Sequence, residues 1–314
     1  MLKLKRSIFV LLIVLPFAVC VSLSTAETNS VVPSQYGEVI YRINEESPNH
    51  IFIIGLSHRD SLTCLNGDLT PRVQSEVFKI GDWLIHNQEL GLLLPEGFFK
   101  SASTKTQRNP ISVAQKESNC ASYDMKALEK RLSDNKVYVN AEMLLKETHP
   151  IRLGQVEDKP LYDAVRANIL KLVSSQGPAC DYAVTNSELE YLQERRTAAM
   201  LQKIPEIVDD EFQQGNIKNR KAIFTVGLYH IHEIIQFLNE NKIKIHAPKP
   251  ASVGIKDYTA ELNLQKENFG ITIILPRMLT KDQKILEINK LTEIVNQSGG
   301  IQTSKVSSPP SLQR

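Results

Sequence analysis

Two stretches of this chain follow one plan, and they narrow its possible folds more than any other part of the sequence. Ile51-Phe52-Ile53-Ile54-Gly55-Leu56-Ser57-His58 and Ala222-Ile223-Phe224-Thr225-Val226-Gly227-Leu228-Tyr229-His230 each run apolar, end in Gly, and bring a His three residues later. Short continuous apolar runs suit strands buried on both faces, and such strands belong to sheets covered by helices. Residues just past the end of such a strand lie at the rim of the sheet, where ligands gather in folds of this kind. Gly permits a sharp turn and a close approach to the backbone. A His at the start of a helix is disfavoured as a cation by the helix dipole, which predicts neutral imidazoles able to bind a metal or act as bases.

A third strand end supplies a carboxylate. Leu90 to Leu94 reads as another buried strand, closing on Pro95-Glu96-Gly97. Glu96 beside His58 and His230 would complete a His/His/Glu set, which suits a divalent metal with an open position for water. The alternative role for Glu96 is general base. Arg196 adds a cation. On a helix over residues 188–204, Leu189, Leu192, Ala199, Met200 and Ile204 share a face with Arg196 near its centre, while Arg195 points toward solvent. An arginine there needs an anionic partner: Glu96, Glu157, Asp158 or a substrate oxyanion. Asp158 also reads as a helix N-cap. His232 and Glu233 fall off the apolar face and read as solvated. His86 and His149 lack a motif, Trp83 reads as core, and Ser57 has no G-x-S-x-G context.

Around these residues the pattern predicts an α+β fold, a central mixed β-sheet flanked by helices and built from two related strand–G-x-x-H–helix units. Strands are expected at 37–43, 50–54, 90–94, up to 158, at 221–226, 243–245 and 271–275. A helix should start at Thr70-Pro71, with Thr70 as N-cap and Pro71 at the first helical position. The polar stretch 98–123 reads as a long loop that could cover a site. Residues 124–148, 159–175 and 186–216 read as helical, the last with a bend at Pro205. His230 should open a helix carrying Ile231, Ile234, Ile235 and Leu238 on one face. Thr280 and Gln283 resemble a capping box opening a final helix through Val295.

The N-terminus has Lys3, Lys5 and Arg6, then an apolar run from Ile8 to Val21, then small residues at Ser24 and Ala26. These are the three parts of a cleavable secretory signal, and the apolar run is shorter than a membrane span. The expected plan is a signal peptide at 1–26, a domain at 27–296 and a disordered tail at 297–314, in a secreted or periplasmic protein with no stable membrane insertion after cleavage. Cleavage removes three of the 37 Lys+Arg and none of the 35 Asp+Glu, leaving a net charge of −1. No basic patch points to nucleic acid. Cys64, Cys120 and Cys180 would remain, too widely spaced for a zinc knuckle and able to form one disulfide in an oxidising compartment.

These motifs, in this order, resemble the TIKI/TraB superfamily, which includes TIKI-type metalloproteases, GumN-like exported proteins, TraB proteins, erythromycin esterases and the haem-binding ChaN group. The likeness lies in Gly55-Leu56-Ser57-His58, Glu96, Arg196 four residues before Met200, and Gly227-Leu228-Tyr229-His230. Gln155-Val156-Glu157-Asp158 stands where the family carries G-x-E-D. The resemblance spans about residues 38–246. It implies an exported hydrolase of peptide or ester bonds using a divalent metal, manganese or cobalt, with zinc as a further option. His58, Glu96 and His230 would hold the metal or activate water. Arg196 would orient the carboxylate or stabilise an oxyanion. The alternatives are a haem- or metal-binding protein of the ChaN type, a metal-free esterase and an inactive interaction protein.

Overall fold

The apolar segment His50–Leu56 (β2) lies inside a six-stranded sheet, and every one of its residues is buried. The structure is a computed structural model that describes residues 31–59, 65–100, 124–136, 138–174, 179–249 and 255–298. The expected signal segment, most of the stretch 98–123 expected as a loop, and the expected C-terminal tail lie outside the described residues. So do Cys64, Cys120 and the side chain of Cys180, with any disulfide among them.

Before β2 comes β1 (Gly37–Ile43). After it follow α1 (Thr70–Gln88), β3 (Leu92–Pro95), α2 (Met125–Leu132), α3 (Ala141–Thr148) and β4 (Arg152–Leu153). Next come α4 (Lys159–Ser174), α5 (Ala179–Gln213), β5 (Lys221–Gly227), α6 (Tyr229–Glu240), β6 (Lys242–Ile245) and β7 (Tyr258–Glu261). The described chain ends with α7 (Asn263–Lys266), β8 (Gly270–Pro276), α8 (Arg277–Thr280), α9 (Gln283–Ile288) and α10 (Thr292–Ser298).

The strand order is β1-β8-β2-β5-β3-β4. All neighbours run parallel except β1 and β8, so the sheet is mixed, and the α+β class expected from the sequence is the one observed. β6 and β7 form a separate antiparallel pair. Parallel strands with neighbours on both sides are shielded on both faces, which is why β2, β5 and β8 read as unbroken apolar runs. Because β2, β3 and β5 are parallel, their C-terminal ends share one edge of the sheet. That edge collects His58, Glu96 and His230.

The two G-x-x-H units sit side by side but one residue out of step. Leu56, not Gly55, pairs with Gly227. The two glycines also do different work. A side chain at Gly55 would meet Leu275 Cδ2 at 2.6 Å and Ile231 Cγ1 at 3.0 Å, so Gly55 lets α6 and β8 pack closely. A side chain at Gly227 would instead meet Glu96 Oε2 at 3.1 Å and His58 Nε2 at 3.3 Å.

Several local expectations change. Thr70 is inside α1 and does not cap it; the N-cap position is Leu69, and the Thr70 hydroxyl faces Ser57 Oγ at 3.3 Å. Trp83 is 39 % exposed rather than core, with its indole N–H donating to the Val31 carbonyl. The helix after Thr280 starts from Asp282, whose carboxylate accepts from the Ile285 N–H at 3.0 Å. It is then split into α9 and α10, with Lys290 in the left-handed region between them. α5 starts earlier than expected and carries Pro205 within it. Arg195 is not simply solvated: its guanidinium stacks 3.8 Å from the centre of the Tyr258 ring.

Candidate active site

Glu96 is placed by the sheet itself. Its N–H continues the β3–β5 ladder by donating to the Thr225 carbonyl at 2.9 Å, which turns the side chain toward β5. Oε2 accepts the Gly227 N–H at 2.5 Å and faces His58 Nε2 at 3.1 Å. Oε1 lies 2.7 Å from an Arg196 amino group and 3.5 Å from His230 Nε2. The close backbone approach at Gly227 is what allows the carboxylate to sit against the strand end.

Arg196 is buried in the middle of α5 and has found two of the partners expected for it. Besides Glu96 it holds Glu157 in a two-pronged pair, with Nε donating to Oε2 at 3.1 Å and Nη2 donating to Oε1. Glu157 has no exposed side-chain surface. It also accepts the Gly97 N–H at 2.8 Å, tying the turn after β3 to the same cluster. The Tyr162 ring lies 5.3 Å from the guanidinium carbon. Asp158, by contrast, accepts the Leu161 N–H at 3.2 Å, the capping role foreseen for it.

His230 is buried as the second residue of α6. Its Nδ1 lies 2.6 Å from Thr197 Oγ1, whose hydroxyl donates to Glu233 at 2.5 Å. Glu233 is therefore buried and bonded, not solvated as its helical phase suggested. Burial pulls the His230 imidazole down, but Glu96 and Glu233 outweigh it and push it up to about 9. The expectation of a neutral imidazole is thus corrected: two carboxylates at contact distance exceed the helix dipole, whose effect is on the order of 0.3–1 kcal/mol. Burial also lowers His58, and Glu96 again outweighs it to leave a raised pKa. Burial raises Glu96, yet His58 and His230 hold it well below the usual carboxylate range. His58 differs from the rest in reaching solvent, with 39 % of its side chain exposed.

The donor types at His58, Glu96 and His230 suit a transition metal, but their arrangement does not enclose one. The Arg196 guanidinium stands against the Glu96 oxygen that faces His230, and its Nη1 is 3.4 Å from His230 Nε2. A cationic side chain already fills the position between carboxylate and imidazole. Among the described residues, a compact set of three His, Cys, Asp or Glu donors occurs elsewhere, at Asp82, His86 and His149, within 4.8 Å of one another. That set could hold a metal ion.

His58, Glu96, Arg196 and His230 are marked by the sequence pattern, whereas the residues behind them are not. Thr197 and Glu233 have no motif; only their spacing to Arg196 and His230 betrays them. Glu142 is buried near His58 with Oε2 lacking a hydrogen bond among the described residues, and burial raises its pKa. His86 reads in the sequence as lacking a motif, its four-residue helical spacing from Asp82 passed over, whereas His149 arrives only through the packing of α3. Comparison of the chain with protein-family models, with curated proteins and with solved structures finds no match.

Proposed function

We propose that this protein is a hydrolase of ester or peptide bonds in which His58 and Glu96 activate water. The observation that carries this reading is one solvent-facing imidazole held by a buried, ionised carboxylate that is itself pinned by Arg196 and the Gly227 N–H. Glu96 engages Nε2, so Nδ1 is left to take a proton from water and return it to the leaving group. General acid–base catalysis of this kind contributes about 10²–10⁴-fold. Arg196 is too deeply buried to reach a substrate and acts as a positioning residue for Glu96, rather than as an oxyanion donor. His230 balances the charge of Glu96 from the other side.

The likeness of the motifs to TIKI/TraB proteins supports the same reaction class and an exported protein. In that family reading a manganese, cobalt or zinc ion would sit at His58, Glu96 and His230, or haem would bind there without chemistry. Among the described residues no helix is long and apolar enough to cross a membrane. The N-terminal pattern supports secretion, tested by sequencing the N-terminus of the protein recovered from the periplasm or medium; Glu27 first is the expected result.

The purified protein should be assayed against a panel of nitrophenyl esters and unstructured peptides, with chelator and with added manganese or cobalt. Hydrolysis that survives chelation and falls about 100-fold or more in His58→Ala and Glu96→Gln is the expected outcome. Activity that appears only with added metal would replace this mechanism with the metal-dependent one. A Soret band with no turnover would point to haem binding. No turnover on any substrate, with no ligand bound, would leave the hydrolase reading without support.

A further inference from the structure

The far end of α1 carries a group of side chains that the site above does not use. Asp82 and His86 are one helical turn apart and project from the same face. His149, the residue that ends α3, reaches the same spot. Its Nε2 lies 3.0 Å from Asp82 Oδ1, and His86 Nδ1 lies 3.4 Å from that same oxygen. The two imidazole rings meet edge to face with centres 5.1 Å apart. Only 10 % of the His149 side chain is exposed, yet its Nε2 makes no aligned hydrogen bond. A buried imidazole nitrogen left in that state costs free energy unless something else takes its lone pair.

We infer that Asp82, His86 and His149 form a binding site for one divalent transition-metal ion of the zinc or copper(II) class. Two imidazole nitrogens and one carboxylate oxygen facing a common point are the donors such ions prefer, whereas magnesium and calcium favour oxygen alone. His86 Nδ1 is also 2.8 Å from the Asp82 main-chain carbonyl. That contact holds the His86 ring beside Asp82 and His149. His86 is exposed, so an ion can enter from solvent. Sixteen residues of helix separate His86 from Thr70, about 24 Å at 1.5 Å per residue. The ion would therefore clip α1 to the turn before β4 rather than take part in the proposed hydrolysis, and the inference stands independently of that reading.

Trp83 is the only tryptophan in the chain, is adjacent to Asp82 and supplies the probe. Copper(II) chloride added to the purified protein near neutral pH is expected to quench Trp83 fluorescence and saturate at one equivalent, with zinc sulfate competing. His86→Ala and His149→Gln are each expected to weaken copper binding about tenfold or more. His58→Ala should leave the titration unchanged, which separates this site from the sheet edge. Should His149→Gln fail to fold by circular dichroism, the exposed His86→Ala carries the test. Equal quenching in wild type and His86→Ala, or no saturable quenching below millimolar copper, overturns the site.

Discussion

The Arg196 guanidinium is shared between Glu96 and Glu157 in a place with almost no water, so removing the cation strands both carboxylates. Breaking a buried pair in this way typically costs about 3–5 kcal/mol. Arg196→Met is expected to lower the urea midpoint accordingly, and Glu96→Gln with Arg196→Met together should cost less than the sum of the two single changes. Thr197→Val removes the acceptor for the His230 Nδ1–H. The expected result is a lower His230 pKa, read from its imidazole resonances across a pH titration, with the site otherwise intact. Arg196 could be picked from the sequence because a lone arginine at the centre of an apolar helical stripe demands an anion. Thr197 could not, because a threonine on a helix has many bland explanations and its partners lie 33 and 36 residues away.

Among the elements, the strand ends were the most legible, because a run of buried apolar residues stopping at Gly marks the rim of a sheet without reference to anything distant. The order of the strands was not legible, since no local pattern says that β5 lies between β2 and β3. The two motif glycines look identical in sequence and are separated only by their neighbours in space. Gly55→Ala drives a methyl group into Leu275 and Ile231 and is expected to lose about 1–3 kcal/mol of stability through overpacking, measured by thermal or urea unfolding. Gly227→Ala presses instead on Glu96 and His58. Its expected signature is a sharp loss of hydrolytic turnover with a near-normal melting temperature. If the two variants showed the same pattern, the division of labour between these glycines would be wrong.

Across the whole molecule, two buried histidines set opposite limits on stability. His50 is buried against Thr272 Oγ1 at 2.8 Å, and burial, with Lys221 and Arg42, lowers its pKa to about 4. Between that value and its ordinary 6.5 the unfolded chain takes up a proton that the folded one refuses. Stability is therefore complete above pH 6.5 and lost as pH falls toward 4, by on the order of 3 kcal/mol. His230 behaves in the reverse sense: its raised pKa contributes stability that is complete below 6.5 and lost as pH rises through about 9. Urea midpoints across pH should peak near 6.5, with His50→Gln flattening the acid limb and His230→Gln the alkaline one. Neither limb could be foreseen, since the acid one arises mainly from burial inside the sheet and the alkaline one chiefly from Glu96, far earlier in the chain. Without β5 and β8, the strands β1 and β2 have no neighbour in the sheet, and β3 with β4 is the sole adjacent pair among the described strands. A polypeptide still emerging from the ribosome, complete only to residue 220, lacks both strands that join these pieces into one sheet. β8, the last of the described strands, slots between the first two, so the sheet can close only once nearly all of the described chain exists.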